Sequence, residues 1–155
     1  MDLDRLMDEF AREAGVDPAA PNADGFYEVT VDDMPMSIGA VPPSAPLILW
    51  AEIGETPPEG REAFYRMLLE ATYGGREMAD ARFSIDRATG CVLLVREDPA
   101  APEDLADFRG RLDAFADAIA VWRERIADFR APDDAGAPGG DEGPLGFDPP
   151  DFIRI

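Results

Sequence analysis

Cys91 is the one cysteine of the chain, and the residues that would make it a nucleophile are missing. A reactive thiolate needs a base or a cation beside it, most often histidine, and the sequence has no histidine. Cys91 heads the apolar run Val92-Leu93-Leu94-Val95, which reads as a structural position. Lysine is absent as well, so Schiff-base chemistry and a Walker A loop are excluded. Carboxylates remain. Asp32-Asp33, Asp133-Asp134 and Asp141-Glu142 could move a proton or hold a hard cation, yet none has the ligand spacing of a calcium loop. Asn22-Ala23-Asp24-Gly25 matches a fragment of such a loop, but Ala20 stands at the first ligand position and Val31 at the closing glutamate. Gly39, Gly74 and Gly75 form no phosphate cradle. The chain therefore reads as a binding protein rather than an enzyme, with no metal and no cofactor.

Its charge narrows the partners. The 33 acidic residues outnumber 14 basic ones, all arginine, for a formal net charge of -19. Phosphate backbones need a positive surface, so nucleic acid is not the expected partner. The amino terminus, Met1-Asp2-Leu3-Asp4-Arg5, lacks the basic start and apolar run of a signal peptide, and no stretch approaches the roughly 18 apolar residues of a membrane span. With a single cysteine and no sign of export, the expected location is the cytoplasm, without membrane contact.

The elements that must carry a binding surface emerge from periodicity. Leu3, Leu6, Met7, Phe10 and Ala14 form one stripe of a helix over 2–14 that Gly15 ends. Tyr27, Val29 and Val31 alternate with polar residues, Asp32-Asp33 makes a turn, and Met34, Met36 and Ile38 alternate again, so the two runs predict a hairpin with Pro35 where no ladder hydrogen bond is needed, on an edge. Leu47-Ile48-Leu49-Trp50-Ala51 is apolar on both faces and predicts a strand covered on both. Thr56-Pro57-Pro58-Glu59 has the form of a capping box opening a helix to about Thr72. On that helix Phe64, Met67, Leu68 and Ala71 make one apolar face, while Tyr65, Leu69 and Tyr73 make a second, more than one core requires. Residues 82–86 and 91–96 predict a further strand pair around Thr89-Gly90. From Asp98-Pro99 onward, Leu105, Phe108, Leu112, Phe115, Ile119, Trp122, Ile126 and Phe129 alternate spacings of three and four, a long helix whose seam can cover the strands or pair with another copy.

The expected fold class is α+β, an antiparallel sheet with helices in the order α-βββ-α-ββ-α, over a domain of residues 1–130. A Pro/Gly/Asp-rich tail, 131–155, is the C-terminal extension; it carries six acids and one arginine but ends on an apolar segment.

With that order, and with the stretches Leu3 to Gly15, Leu47-Ile48-Leu49-Trp50-Ala51-Glu52-Ile53-Gly54, Phe64 to Thr72, Phe83-Ser84-Ile85-Asp86 and Gly90 to Val95, residues 1–130 resemble the class I type III secretion chaperones (Tir chaperone, CesT-type). The resemblance implies a cytoplasmic homodimer that holds the extended N-terminal segment of a secreted effector and keeps it secretion-competent, without catalysis. The apolar residues suited to these roles are Leu3, Leu6, Met34, Met36, Ile48 and Trp50 for effector contact, and Tyr65, Leu69, Tyr73, Leu93 and Val95 for dimer contact. The tail departs from the family pattern, and its apolar residues Leu145, Phe147, Phe152 and Ile153 suit a pseudo-ligand that occupies the effector groove. The competing reading of the same charge is an acidic inhibitor, immunity-type or regulatory protein acting on a folded basic partner, which steep salt sensitivity would reveal.

Overall fold

The computed structural model of the chain describes residues 2–15, 17, 19–41, 45–74 and 78–132. Within them run α1 (Leu3–Ala14), β1 (Tyr27–Val31), β2 (Met34–Val41), β3 (Ala45–Glu55), α2 (Arg61–Gly74), β4 (Arg82–Ile85), β5 (Cys91–Asp98) and α3 (Leu105–Asp128). The element order is the one periodicity predicts. All five strands pair antiparallel in one sheet of order β1-β2-β3-β5-β4.

Local chemistry accounts for most of the boundaries. Gly15 takes a left-handed conformation (φ 70°) after α1, and its N–H reaches the carbonyls of Ala11 and Arg12, satisfying groups the helix end leaves open. Asp32 and Asp33 both adopt positive φ (48° and 64°), the two-residue turn whose twist suits a hairpin, so Tyr27 faces Ile38 and Val29 faces Met36. Asp104 caps α3 by accepting from the Asp107 N–H at 2.8 Å.

Two local expectations give way. The Thr56 hydroxyl donates to the Gly90 carbonyl at 3.0 Å instead of capping a helix, and α2 begins only at Arg61. Pro35 lies in the interior strand β2 rather than on an edge. It is tolerated because the pairs of β2 with β3 start at Ser37, so no β3 bond needs its missing N–H.

One face of the sheet meets α1 and α3. From α3, Phe108, Leu112, Phe115, Ile119 and Trp122 descend onto Ile38, Leu47, Leu49, Val92 and Leu94, all fully or almost fully buried. Each such side chain contributes about 1.5–3 kcal/mol on leaving water. The long apolar seam of α3 is thus spent on the chain's own sheet, which removes it as an intermolecular coiled coil. Phe10 packs edge-on to Phe108 and Phe83 to Trp122, tying α1 and β4 to α3.

A nearly buried ion cluster joins the end of β5 to the start of α3. Asp98 accepts from Arg96 at 2.8 Å and from Arg111 at 3.2 Å, while Arg111 also grips Asp107 at 2.6 and 3.1 Å and the Ala100 carbonyl at 2.9 Å. Arg111 and the Glu103 N–H hold the Asp107 carboxyl below the usual carboxylate range. Asp98, expected to help open the long helix, belongs to this cluster instead.

Candidate partner-binding surfaces

The face of the sheet turned away from α3 is built by register alone. Ser37 pairs with Trp50, Trp50 with Val95 and Val95 with Arg82, so these four side chains form one row across the sheet. Neighbouring rows add Gly39, Ile48 and Glu97 on one side, and Glu52, Leu93 and Ser84 on the other. Trp50, Leu93 and Val95 are half-buried there, an apolar strip that among the described residues lies on the face away from α3 and is bordered by Glu28, Glu52, Glu97 and Arg82. Arg82 and Glu97 pair at 2.6 Å on this rim.

One end of the strip is covered by the loop before β1. The Asn22 side chain accepts from the N–H groups of Asp24 and Phe26, both at 3.0 Å, and curls the loop so that Phe26 lies over Gly39 and edge-on to Trp50 at 6.5 Å. Gly39 is needed there: a Cβ would lie 2.5 Å from the Phe26 ring. Beside it, the Ser37 hydroxyl stands 2.8 and 2.9 Å from the two oxygens of Glu28. Arg123 of α3 donates to the Glu52 carbonyl at 3.1 Å, and between these groups and Trp50 lies an open hollow of about 230 Å³.

A second surface lies on α2. Phe64 and Leu68 face the core, and the opposite side of the helix leaves Leu69 72% and Tyr73 98% exposed, with Tyr65 half-buried between. Large apolar side chains this open on a helix are unusual for a surface that meets only water.

The expected contact residues separate accordingly. Trp50, Leu93 and Val95 come together on the outer sheet face, although the sequence pattern gives partner contact to the first and dimer contact to the other two. Leu69 and Tyr73 are exposed on α2, with Tyr65 beside them. Leu3 and Met34 are half-buried against the core edge. Leu6 and Met36 are 0% and 2% exposed, inside the core beneath α1 and α3, and present no area to a partner in this state. Ile48 is on the outer face but only 9% exposed. Phe26 is a surface residue that sequence reasoning missed; the signal available was a glycine, Gly39, cross-strand from the position preceding β1. Leu145, Phe147, Phe152 and Ile153 lie outside the described residues.

Electrostatics around α1 are also organised. The Tyr27 hydroxyl donates to Asp4 at 2.7 Å, and burial together with that carboxylate pushes its pKa up to about 12. Among the described residues no group of three or more His, Cys, Asp or Glu is arranged to hold a metal, and no helix is long and apolar enough to cross a membrane.

Against known proteins, the family model "Tir chaperone protein (CesT) family" matches residues 5–123. No curated protein matches the sequence. Among solved structures, the ExsC–ExsE complex is similar at a TM-score of 0.63 with 24% identity, over 80% of this chain and 96% of that one. The HopA1–SchA chaperone–effector complex is similar at a TM-score of 0.63 with 15% identity, over 77% and 91%. The Yersinia pestis type III secretion chaperone SycH, in complex with a stable fragment of YscM2, is similar at 0.56 with 18% identity, over 77% and 98%.

Proposed function

The chain belongs to the Tir chaperone protein (CesT) family, and from that premise we propose that it is a cytoplasmic chaperone that binds the extended N-terminal segment of a type III secreted effector and keeps it secretion-competent. The observation that carries this reading is the outer sheet face, where Trp50, Val95 and Leu93 form a half-buried apolar strip on the side away from α3 among the described residues. An extended peptide suits such a surface, because alternate side chains fill the strip while its backbone pairs with a free strand edge. β1 and β4 are the two edges of this sheet. The family and the complexes of similar structures with effectors or other partners support the same assignment. No catalytic role enters the proposal.

The working form is a homodimer joined through Leu69 and Tyr73 of α2, since these two side chains are the most open large apolar residues described. The net charge of -19 favours partner segments that carry basic residues around their apolar ones.

The test uses the N-terminal fragment of a secreted protein that copurifies with the chain from its native cells. Expected is stoichiometric binding of a fragment that has no fold of its own, weakened at least tenfold by Trp50→Glu. A folded basic partner whose binding disappears with added salt would instead favour the acidic inhibitor and overturn the chaperone reading.

A further inference from the structure

The outer face of the sheet carries an aromatic ring that the core does not use. Phe26 packs on Gly39 and Trp50, outside the buried cluster that joins the sheet to α1 and α3. It is half-buried, and residues 21–25 before it are all exposed. The loop keeps its own shape: the Asn22 N–H donates to the Phe26 carbonyl at 2.8 Å, the Gly25 N–H to the Asn22 carbonyl at 3.0 Å, and the Asn22 amide to Glu28 at 3.3 Å. The Phe26 ring, by contrast, is held by apolar contact. Rotation about its χ1 lifts it off the sheet while those bonds stay made, a rotamer change open to side chains outside a core.

Beneath the ring lies a fitted seat. Gly39 does not have a positive φ, so space rather than backbone freedom calls for glycine there. A Cβ would stand 2.5 and 2.6 Å from two carbons of the ring. A glycine inside a strand marks a place where another group approaches the backbone closely. The spacing also suits a second chain. Same-face side chains of an extended segment stand about 6.5–7 Å apart, and the Phe26 and Trp50 rings are 6.5 Å apart. A segment whose aromatic side chain took the place of Phe26 would set its next same-face side chain over Trp50, alongside Val95.

We propose that the seat over Gly39 is a subsite for an aromatic side chain of the bound segment, and that Phe26 is its resident stand-in, displaced when the segment binds. This rests on the reading of the outer face as the partner surface and adds the class of side chain it selects. The segment that fits carries an aromatic residue, an apolar residue two positions on, and basic residues to meet the rim of Glu28, Glu52 and Glu97. A seat that is free a tenth of the time or less lowers the apparent affinity about tenfold, so Phe26 also sets a threshold against weakly matching segments.

The test uses the full-length chain and an acetylated heptapeptide with phenylalanine third, leucine fifth, arginine second and sixth, and serine elsewhere. Binding is read from the NMR shifts of the Gly39 amide and the Trp50 indole. Expected is affinity at least about tenfold higher for Phe26→Ala than for the native chain. The gain should vanish when the peptide's phenylalanine is replaced by alanine, or when Gly39→Ala joins Phe26→Ala and puts a methyl where the ring stood. Equal affinity in the two chains, or weaker binding by Phe26→Ala, would make Phe26 a bystander or a direct contact and overturn the proposal. A gain that survives Gly39→Ala, or the absence of shifts at Gly39 and Trp50, would overturn the seat. The peptide is no secreted protein's segment, so these outcomes judge the seat, while the copurified fragment judges the chaperone reading separately.

Discussion

Replacing Asp98 by Asn tests whether the end of β5 is held to α3 by charge. Asp98 is 7% exposed, and its two oxygens meet Arg96 at 2.8 Å and Arg111 at 3.2 Å, with those side chains only 12% and 17% exposed. A hydrogen bond to a charged group contributes about 1.5–3 kcal/mol, and an uncompensated buried charge adds to the loss. Asparagine keeps one acceptor and turns two donors towards a guanidinium. Arg111 retains Asp107 and the Ala100 carbonyl, so most of the damage falls on Arg96. The sum is a loss of about 3 kcal/mol, or roughly 6–12 °C in Tm for a chain of this size. Urea unfolding monitored by circular dichroism should show the midpoint fall at constant slope. Added salt should recover little, because the pair is shielded from bulk ions. Arg96→Met removes the cation instead and leaves Asp98 with Arg111, so it should cost about 1 kcal/mol. Equal costs for the two variants, or an Asp98→Asn loss below about 1 kcal/mol, would refute the reasoning. The consequence reaches function, since β5 also carries Leu93 and Val95 of the outer strip.

Three further outcomes rest on single residues. Leu69→Arg should leave monomer stability within about 0.5 kcal/mol, as befits an exposed position, yet weaken the dimer: burying the 72% open leucine contributes roughly 1–2 kcal/mol per copy, twice by symmetry, so sedimentation should show a loss of at least about 30-fold. A dimer of unchanged affinity would place the contact elsewhere. Gly39→Ala should cost about 1–3 kcal/mol by driving its Cβ into the Phe26 ring, and Phe26→Ala in the same chain should recover most of that loss in a thermal melt. Tyr27 ionises near 12 in the fold against about 10 unfolded. The unfolded chain therefore loses that proton first as pH rises, and up to about 2–3 kcal/mol of stability present below pH 10 should disappear between roughly pH 10 and 12. Tyr27→Phe should flatten that part of the stability curve, and an unchanged alkaline slope would contradict the assignment.

Periodicity is enough to read the element order, because helices and strands that bury one face must repeat their apolar residues at 3.6 or 2. Leu105 to Phe129 announce α3 in this way, and Tyr65, Leu69 and Tyr73 announce an apolar face on α2 beyond what the core uses. The lack of histidine and lysine closes most catalytic routes without any coordinate. Spacing does not say which apolar residues are core and which are surface. Met36 and Leu6 carry the same signal as Met34 and Leu3, yet α1 and α3 close over the first pair. Thr56-Pro57-Pro58-Glu59 has the letters of a capping box, but the β4–β5 turn offers Thr56 the Gly90 carbonyl, a partner 34 residues away that no local pattern contains. Register joins Trp50 to Val95, and the fold lays Phe26 on Gly39 and Ala131 on Gly60. These contacts arise between segments distant in sequence, so only the tertiary structure decided them; the sequence alone determined the elements, their order and the chemistry the chain does without.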